Sequence, residues 1–129
     1  MRRVLAAAIL GAAAAATAGG ADEVSFARDL EPLLVRRCGA CHITGEEPGR
    51  MALVPGKAWD ALVGVPSVES SLLRVAPGRP EESYLIHKLR GTHLEVGGSG
   101  VRMPFHQPPL PAEQIERFAR WIAAGAPRN

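Results

Sequence analysis

The chain has 129 residues, with 15 Lys and Arg against 13 Asp and Glu and only two Cys. This length accommodates one domain, and no charge run or strongly basic face indicates binding to nucleic acid. With 14 Gly, 11 Pro and few aromatic side chains, the chain is predicted to be rich in loops, and a group other than side chains is expected to fill its centre.

The N-terminal segment is typical of a secretory signal peptide. Two arginines follow Met1, residues 4–16 are apolar, and small residues then favour cleavage after Ala18 or Ala21. The apolar stretch is shorter than the roughly 20 residues of a membrane span, although an uncleaved anchor is the alternative. The sequence therefore predicts a signal peptide at 1–21 and an exported, periplasmic domain at 22–129 without a membrane span.

Cleavage would also change the charge balance. Arg2 and Arg3 belong to the signal peptide, so 13 basic residues remain against 13 acidic ones. The mature chain is formally neutral and contains only Lys57 and Lys88 as lysines. Strong electrostatic steering toward a partner is therefore not expected.

The first predicted helix spans about residues 26–37. Ser25 is a suitable N-cap, and apolar residues recur at helical spacing from Phe26 to Leu34. Pro32 lies inside this pattern, so it is expected to kink the helix or delay its start. A weaker pattern predicts a short helical turn at about 59–63.

Two further helices are predicted in the second half of the chain. The segment at about 81–90 follows Pro80 and ends at Gly91, which suits a C-cap. The segment at about 112–124 has the clearest apolar stripe, formed by Ile115, Phe118, Ala119 and Ile122. No strand pattern competes, so the predicted fold class is all-α. Long loops at about 43–58 and 92–111 are expected to wrap a cofactor.

The motif Cys38-Gly39-Ala40-Cys41-His42 carries the chemistry. Two thiols at this spacing can reach the two vinyl groups of a porphyrin, and the following imidazole can bind the iron from the same side. The small residues Gly39 and Ala40 are expected to let the backbone approach the macrocycle. The motif therefore predicts one covalent haem c, with Cys38 and Cys41 as thioether anchors and His42 as an axial ligand.

Three other uses of a Cys-x-x-Cys pair are less consistent with the rest of the chain. A thioredoxin-like redox pair requires a strand–helix context that is not predicted here. A structural zinc site requires further Cys or His ligands at paired spacing, and no second Cys pair is present. A plain disulfide leaves the adjacent His42 without a role.

Met103 is the leading candidate for the second axial ligand. It lies in a polar, glycine-rich loop, where a methionine that only fills a core is less expected. Met51 is followed by apolar residues and is predicted to be buried. Three histidines are weaker alternatives: His87, His93 and His106.

The ligand pair indicates the mechanism. A thioether donates weakly and favours ferrous iron, so His/Met ligation raises the reduction potential. Because both axial positions would be filled, single-electron transfer is predicted rather than catalysis. Trp59, Arg79 and Tyr84 are candidate hydrogen-bond partners of the haem propionates. The second ring nitrogen of His42 is expected to donate to a backbone carbonyl.

The chain resembles a class I, monohaem cytochrome c, and in particular a subgroup of bacterial cytochrome c domains. The resemblance is carried by the haem motif after an N-terminal helix, by Arg102-Met103-Pro104, by the segment 109–115 and by the closing helix. The segment 75–85 resembles the subgroup. Pro111 departs from the family pattern, because such domains usually have Ser or Thr there as an N-cap, worth about 1 kcal/mol.

The resemblance implies a cytochrome c fold, in which the first and last helices cross and one haem lies between them. It also implies His42 and Met103 as the proximal and distal ligands. The expected function is periplasmic electron transfer, as a free carrier or as the haem subunit of an oxidoreductase complex, with redox proteins as partners. The alternative is a haem-based sensor or small-ligand binder whose distal methionine binds weakly or is absent.

Overall fold

The computed structural model describes residues 23–129. The predicted signal peptide at 1–21 lies outside the described residues. Within the described part the chain is all-α, as predicted, and its extended backbone forms only isolated bridges. None of the described helices is long and apolar enough to cross a membrane.

The first helical segment consists of two parts. A π-helical turn at Phe26–Leu30 is followed by helix α1 at Glu31–Arg37. Ser25 caps the turn, since its Oγ accepts a hydrogen bond of 3.2 Å from the Arg28 N–H. Pro32 lies in the first turn of α1, where its missing N–H leaves no helical hydrogen bond unmade. The predicted delay of the helix start at Pro32 therefore takes the form of a π-helical turn before α1.

The middle of the chain contains helix α2 at Ala58–Leu62, a 3₁₀ turn at Pro80–Glu82 and helix α3 at Tyr84–Arg90. The single helix predicted at 81–90 is interrupted at Ser83, whose backbone is extended. Ser83 and Tyr84 instead pair with Leu73, and the Tyr84 N–H donates to the Leu73 carbonyl at 2.9 Å. Tertiary pairing therefore outweighs the local helical pattern at this point.

The end of α3 agrees with the prediction. Gly91 adopts a left-handed conformation with φ of 82°, and its N–H donates to the carbonyl of His87. A second 3₁₀ turn follows at His93–Val96 in the otherwise irregular loop that leads to helix α4.

Helix α4 spans Ala112–Ala123 and buries the whole predicted stripe. Pro111 precedes it without any side-chain cap, as expected for proline. Trp121 of α4 is buried and packs on Phe26, with 5.0 Å between the ring centroids. The first and last helical segments therefore meet in the core, at a contact that an aromatic pair stabilises.

Candidate functional site

A cleft of about 250 Å³ opens beside this core. Its walls are formed by the end of α1, the loop at 48–53, residues 67–69, helix α3 and the segment 103–107. Apolar side chains such as Leu53, Leu62 and Leu89 line much of it. Five of the seven predicted site residues line this one cleft: Cys38, Cys41, His42, Tyr84 and Met103.

The cysteine motif folds as a tight turn directly after α1. The N–H groups of Cys41 and His42 both donate to the carbonyl of Cys38, at 3.1 and 3.0 Å. The Leu53 N–H donates to the His42 carbonyl at 2.8 Å and fixes the turn to the neighbouring loop. This local geometry places both thiols and the imidazole on the wall of the cleft.

The two thiols differ in exposure. Cys38 packs against the core, and its burial raises the pKa of the thiol to about 11. Cys41 is exposed. A redox-active Cys-x-x-Cys pair depends on a lowered thiol pKa, so the surroundings of Cys38 do not favour thiol exchange at neutral pH.

His42 is buried against the loop that follows it. Burial lowers the pKa of its imidazole, which favours the neutral ring whose nitrogen lone pair can bind a metal. Its Nδ1 is buried and has no hydrogen-bond partner in the described part of the protein, so the predicted bond to a backbone carbonyl is not formed. The ring as a whole is part of the wall of the cleft.

Gly49 shapes the wall behind the imidazole. A Cβ at this position would lie 3.2 Å from Cε1 of His42 and 3.4 Å from Cε of Met51. The φ of Gly49 is 91°, a backbone conformation that residues with a Cβ rarely adopt. Glycine here therefore lets the loop lie directly against the ring.

The two methionines of the cleft lie on different segments of the chain. Met51 and His42 both lie beside Gly49, so Met51 is on the histidine side. Met103 reaches the cleft from a different segment, whose backbone is fixed to α3 by a 3.0 Å hydrogen bond from the Met103 N–H to the Lys88 carbonyl. Met103 is thus the methionine that approaches the cleft independently of the His42 loop.

Three candidate propionate partners were predicted, and only Tyr84 lines the cleft. The Trp59 indole N–H donates to the carbonyl of Ala126 at 3.1 Å, on the C-terminal segment. Arg79 forms an exposed ion pair with Glu82. Trp59 and Arg79 therefore do not lie at the cleft: the distant C-terminal segment holds Trp59, and a neighbouring surface carboxylate holds Arg79.

The hydroxyl of Tyr84 already has partners on the protein. It lies 2.9 Å from Oε2 of Glu69, and the same carboxylate pairs with the buried Lys88 at 2.9 Å. The Lys88 ammonium also donates to the carbonyl of Ser99 at 3.0 Å. This network fixes the glycine-rich loop that precedes Met103 to α3.

The three other histidines are not among the residues that line the cleft. His87 is held between Thr92 and the carbonyl of Glu81, each 2.8 Å from a ring nitrogen. His93 is buried with its Nε2 3.0 Å from the carbonyl of Gly100, and His106 stacks on Phe105 at 3.8 Å between ring centroids. Their positions favour Met103 over each of them as the second ligand.

Sequence reasoning missed Arg74, which lines the cleft and is only 8% exposed. Its guanidinium donates to three backbone carbonyls, those of Ala61, Gly49 and Arg50, at 2.8 to 2.9 Å. Among residues 23–129 none of its hydrogen-bond partners is a carboxylate, and burial lowers the pKa of the guanidinium. A buried cation without a counter-charge is costly, so Arg74 suits an anionic group bound in the cleft.

Gly39 has a different role from the predicted one, because it does not line the cleft. A Cβ at this position would lie 2.6 Å from the carbonyl oxygen of Val35 and 2.9 Å from that of Leu53. Gly39 therefore allows close packing between α1 and the loop at Leu53, and neither backbone can move aside cheaply.

We expect Gly39→Ala to lower the free energy of unfolding by about 1–3 kcal/mol, the usual cost of overpacking. Urea denaturation of the protein purified from cells competent in haem attachment measures this change. Ala40→Ser is the matched control, since Ala40 is exposed in the same turn and should change stability by less than about 0.5 kcal/mol. Equal stability of Gly39→Ala and the native chain would contradict the packing role.

The cleft thus combines two thiols, a neutral imidazole, a thioether and a buried guanidinium with apolar walls. These residues fit a haem: thiols for its vinyl groups, nitrogen and sulfur for its iron, a cation for its carboxylates and apolar surface for its ring. No side-chain cluster of three or more His, Cys, Asp or Glu suitable for a metal ion occurs among residues 23–129. No family model matches the chain, and neither a curated protein nor a solved structure shows significant similarity to it.

Proposed function

We propose that this protein is an exported class I c-type cytochrome that carries single electrons on one covalently attached haem. The observation that carries the proposal is the convergence of Cys38, Cys41 and His42 with Met103 on one apolar cleft. These residues belong to two segments far apart in the sequence, and local structure alone does not bring them together. The haem supplies one-electron redox chemistry at its iron.

The residues divide into those that hold the group and those that set its environment. Cys38 and Cys41 would form the two thioether bonds, while His42 and Met103 would bind the iron from the two sides. Leu53, Leu62 and Leu89 would cover the ring with apolar surface, which disfavours extra charge on the iron. The proposed fold is that of cytochrome c, with Phe26 and Trp121 joining its first and last helical segments.

Arg74 would take the place that the sequence assigned to Trp59 and Arg79. Its buried guanidinium lines the cleft and has no acidic partner in the part of the chain that the structure describes. A haem carboxylate would provide the missing counter-charge, and the pair would be stronger than at the surface because water is largely excluded.

Electron transfer is favoured over catalysis because His42 and Met103 would both be engaged in holding the iron. The thioether of Met103 would favour ferrous iron, which suits a protein of comparatively high reduction potential. Redox proteins, or the other subunits of an oxidoreductase complex, are then the partners.

The mass of the mature protein tests the proposal. We expect the chain, secreted from cells competent in haem attachment and then denatured, to retain one haem mass and the haemochrome spectrum of a c-type haem. Denaturation matters, because it releases a haem that is bound only by contacts. A mature chain without added mass, or one that loses its porphyrin on denaturation, would refute the proposal.

A further inference from the structure

The segment that carries Met103 is tied to the end of α1 by a second attachment. Nε of Arg37 donates to Oε1 of Gln107 at 2.8 Å, and Nη2 donates to the carbonyl of Pro108 at 2.7 Å. Nε2 of Gln107 donates in return to the backbone carbonyl of Arg37 at 3.2 Å. Three hydrogen bonds therefore join these two segments, and we call them the Arg37–Gln107 strap.

The strap lies at the cleft. Arg37 and Gln107 both line it, and Arg37 directly precedes the thioether anchor Cys38. It thus links the histidine side of the cleft to the methionine side.

From this geometry we infer that Arg37 and Gln107 are positioning residues, which hold Met103 in place as the second iron ligand. The inference rests on the proposed function. Met103 is fixed on one side by its N–H bond to the Lys88 carbonyl, and the strap fixes the chain four residues later. The backbone between these two points is held at both ends.

Such support matters for methionine more than for most ligands. Its side chain has three rotatable bonds and is easily rearranged, and its thioether is a weak donor. Retention of the sulfur on iron therefore depends on where the backbone is held. When the strap is absent, the segment 103–107 opens more readily, and an external ligand competes better for the iron.

Imidazole added to the oxidised, haem-loaded protein tests the inference. Methionine sulfur on ferric haem iron is expected to give a weak red charge-transfer band, and imidazole that displaces the sulfur removes this band. We expect Arg37→Ala and Gln107→Ala each to raise the affinity for imidazole about 3- to 10-fold, which corresponds to one or two hydrogen bonds. Arg37→Lys should behave like Arg37→Ala, since it keeps the charge but not the two-pronged geometry. Arg36→Ala is the matched control and should leave the affinity unchanged, because Arg36 is an exposed arginine one position earlier on α1.

A double variant distinguishes a shared strap from two separate effects. If the two residues act together, the double variant Arg37→Ala with Gln107→Ala should raise the affinity for imidazole by less than the product of the two single effects, because both single variants lose the Arg37–Gln107 side-chain bond. Affinities equal to that of the native protein, or a double effect that equals the product of the single effects, would overturn the inference. So would lower urea midpoints without any change in imidazole affinity, since this pattern indicates a role in stability alone. Failure of the proposed function is recognised separately, by the absence of attached haem or of the sulfur band in the native protein.

Discussion

Replacing both Cys38 and Cys41 by serine is expected to abolish covalent haem attachment and to leave the chain largely unfolded. The two thiols are the only cysteines of the protein, so no other side chain can form the thioether bonds. Without the group, apolar residues of the cleft wall such as Leu53, Leu62 and Leu89 would face water.

The expected loss of stability is large compared with what a small domain possesses. A ligand at 1,000 times its Kd stabilises the native state by about 4 kcal/mol, and a covalent bond maintains a high effective concentration. Small domains are stable by only about 5–15 kcal/mol in total. Losing about 4 kcal/mol would remove most of the margin of a domain at the lower end of this range.

Mass spectrometry and far-ultraviolet circular dichroism, followed during urea denaturation, measure both effects. Ala40→Ser is the matched control, because it adds a hydroxyl in the same exposed turn without removing a thiol. It should retain the haem mass and cooperative unfolding. A double cysteine variant that unfolds cooperatively at the native urea midpoint would show that the polypeptide core is sufficient by itself.

The sequence predicted best what depends on neighbouring residues. The turn after α1 places Cys38, Cys41 and His42 on one wall, largely through hydrogen bonds within the motif itself. The stripe of α4 is buried as its period requires. The cap at Gly91 likewise depends on one residue that tolerates a positive φ. These features needed no knowledge of the rest of the chain.

What could not be predicted depends on contacts between distant segments. Arginine is usually a surface residue. Arg74 can be buried because three backbone carbonyls from other segments accept hydrogen bonds from its guanidinium. Trp59 was expected at the cleft, but the carbonyl of Ala126 takes its indole N–H. The break at Ser83 arises from pairing with Leu73, which no local pattern indicates. The sequence therefore indicated which kinds of bond a charged or aromatic side chain can form, but not which group in the fold it bonds to.

The two methionines of the cleft also differ in the segments that hold them, and this difference leads to the second prediction with a large expected effect. Met103→Ala is expected to abolish the weak red charge-transfer band of the oxidised protein and to lower the reduction potential. The reason is that a soft sulfur ligand, which favours ferrous iron, is lost. Axial ligands span a range of about 0.8 V in haem proteins, so the shift should be easily measured. The reduced variant should also bind carbon monoxide rapidly, because the second axial position becomes available.

Met51→Ala provides the matched control for this prediction. Met51 lines the same cleft but lies beside His42 at Gly49, on the side of the proposed proximal ligand. Its removal should leave the band, the potential and the slow reaction with carbon monoxide close to those of the native protein. Loss of the band in Met51→Ala together with its survival in Met103→Ala would reverse the ligand assignment. Rapid binding of carbon monoxide to the native reduced protein would instead favour a haem-based sensor or small-ligand binder, since the native iron would then have an accessible second side.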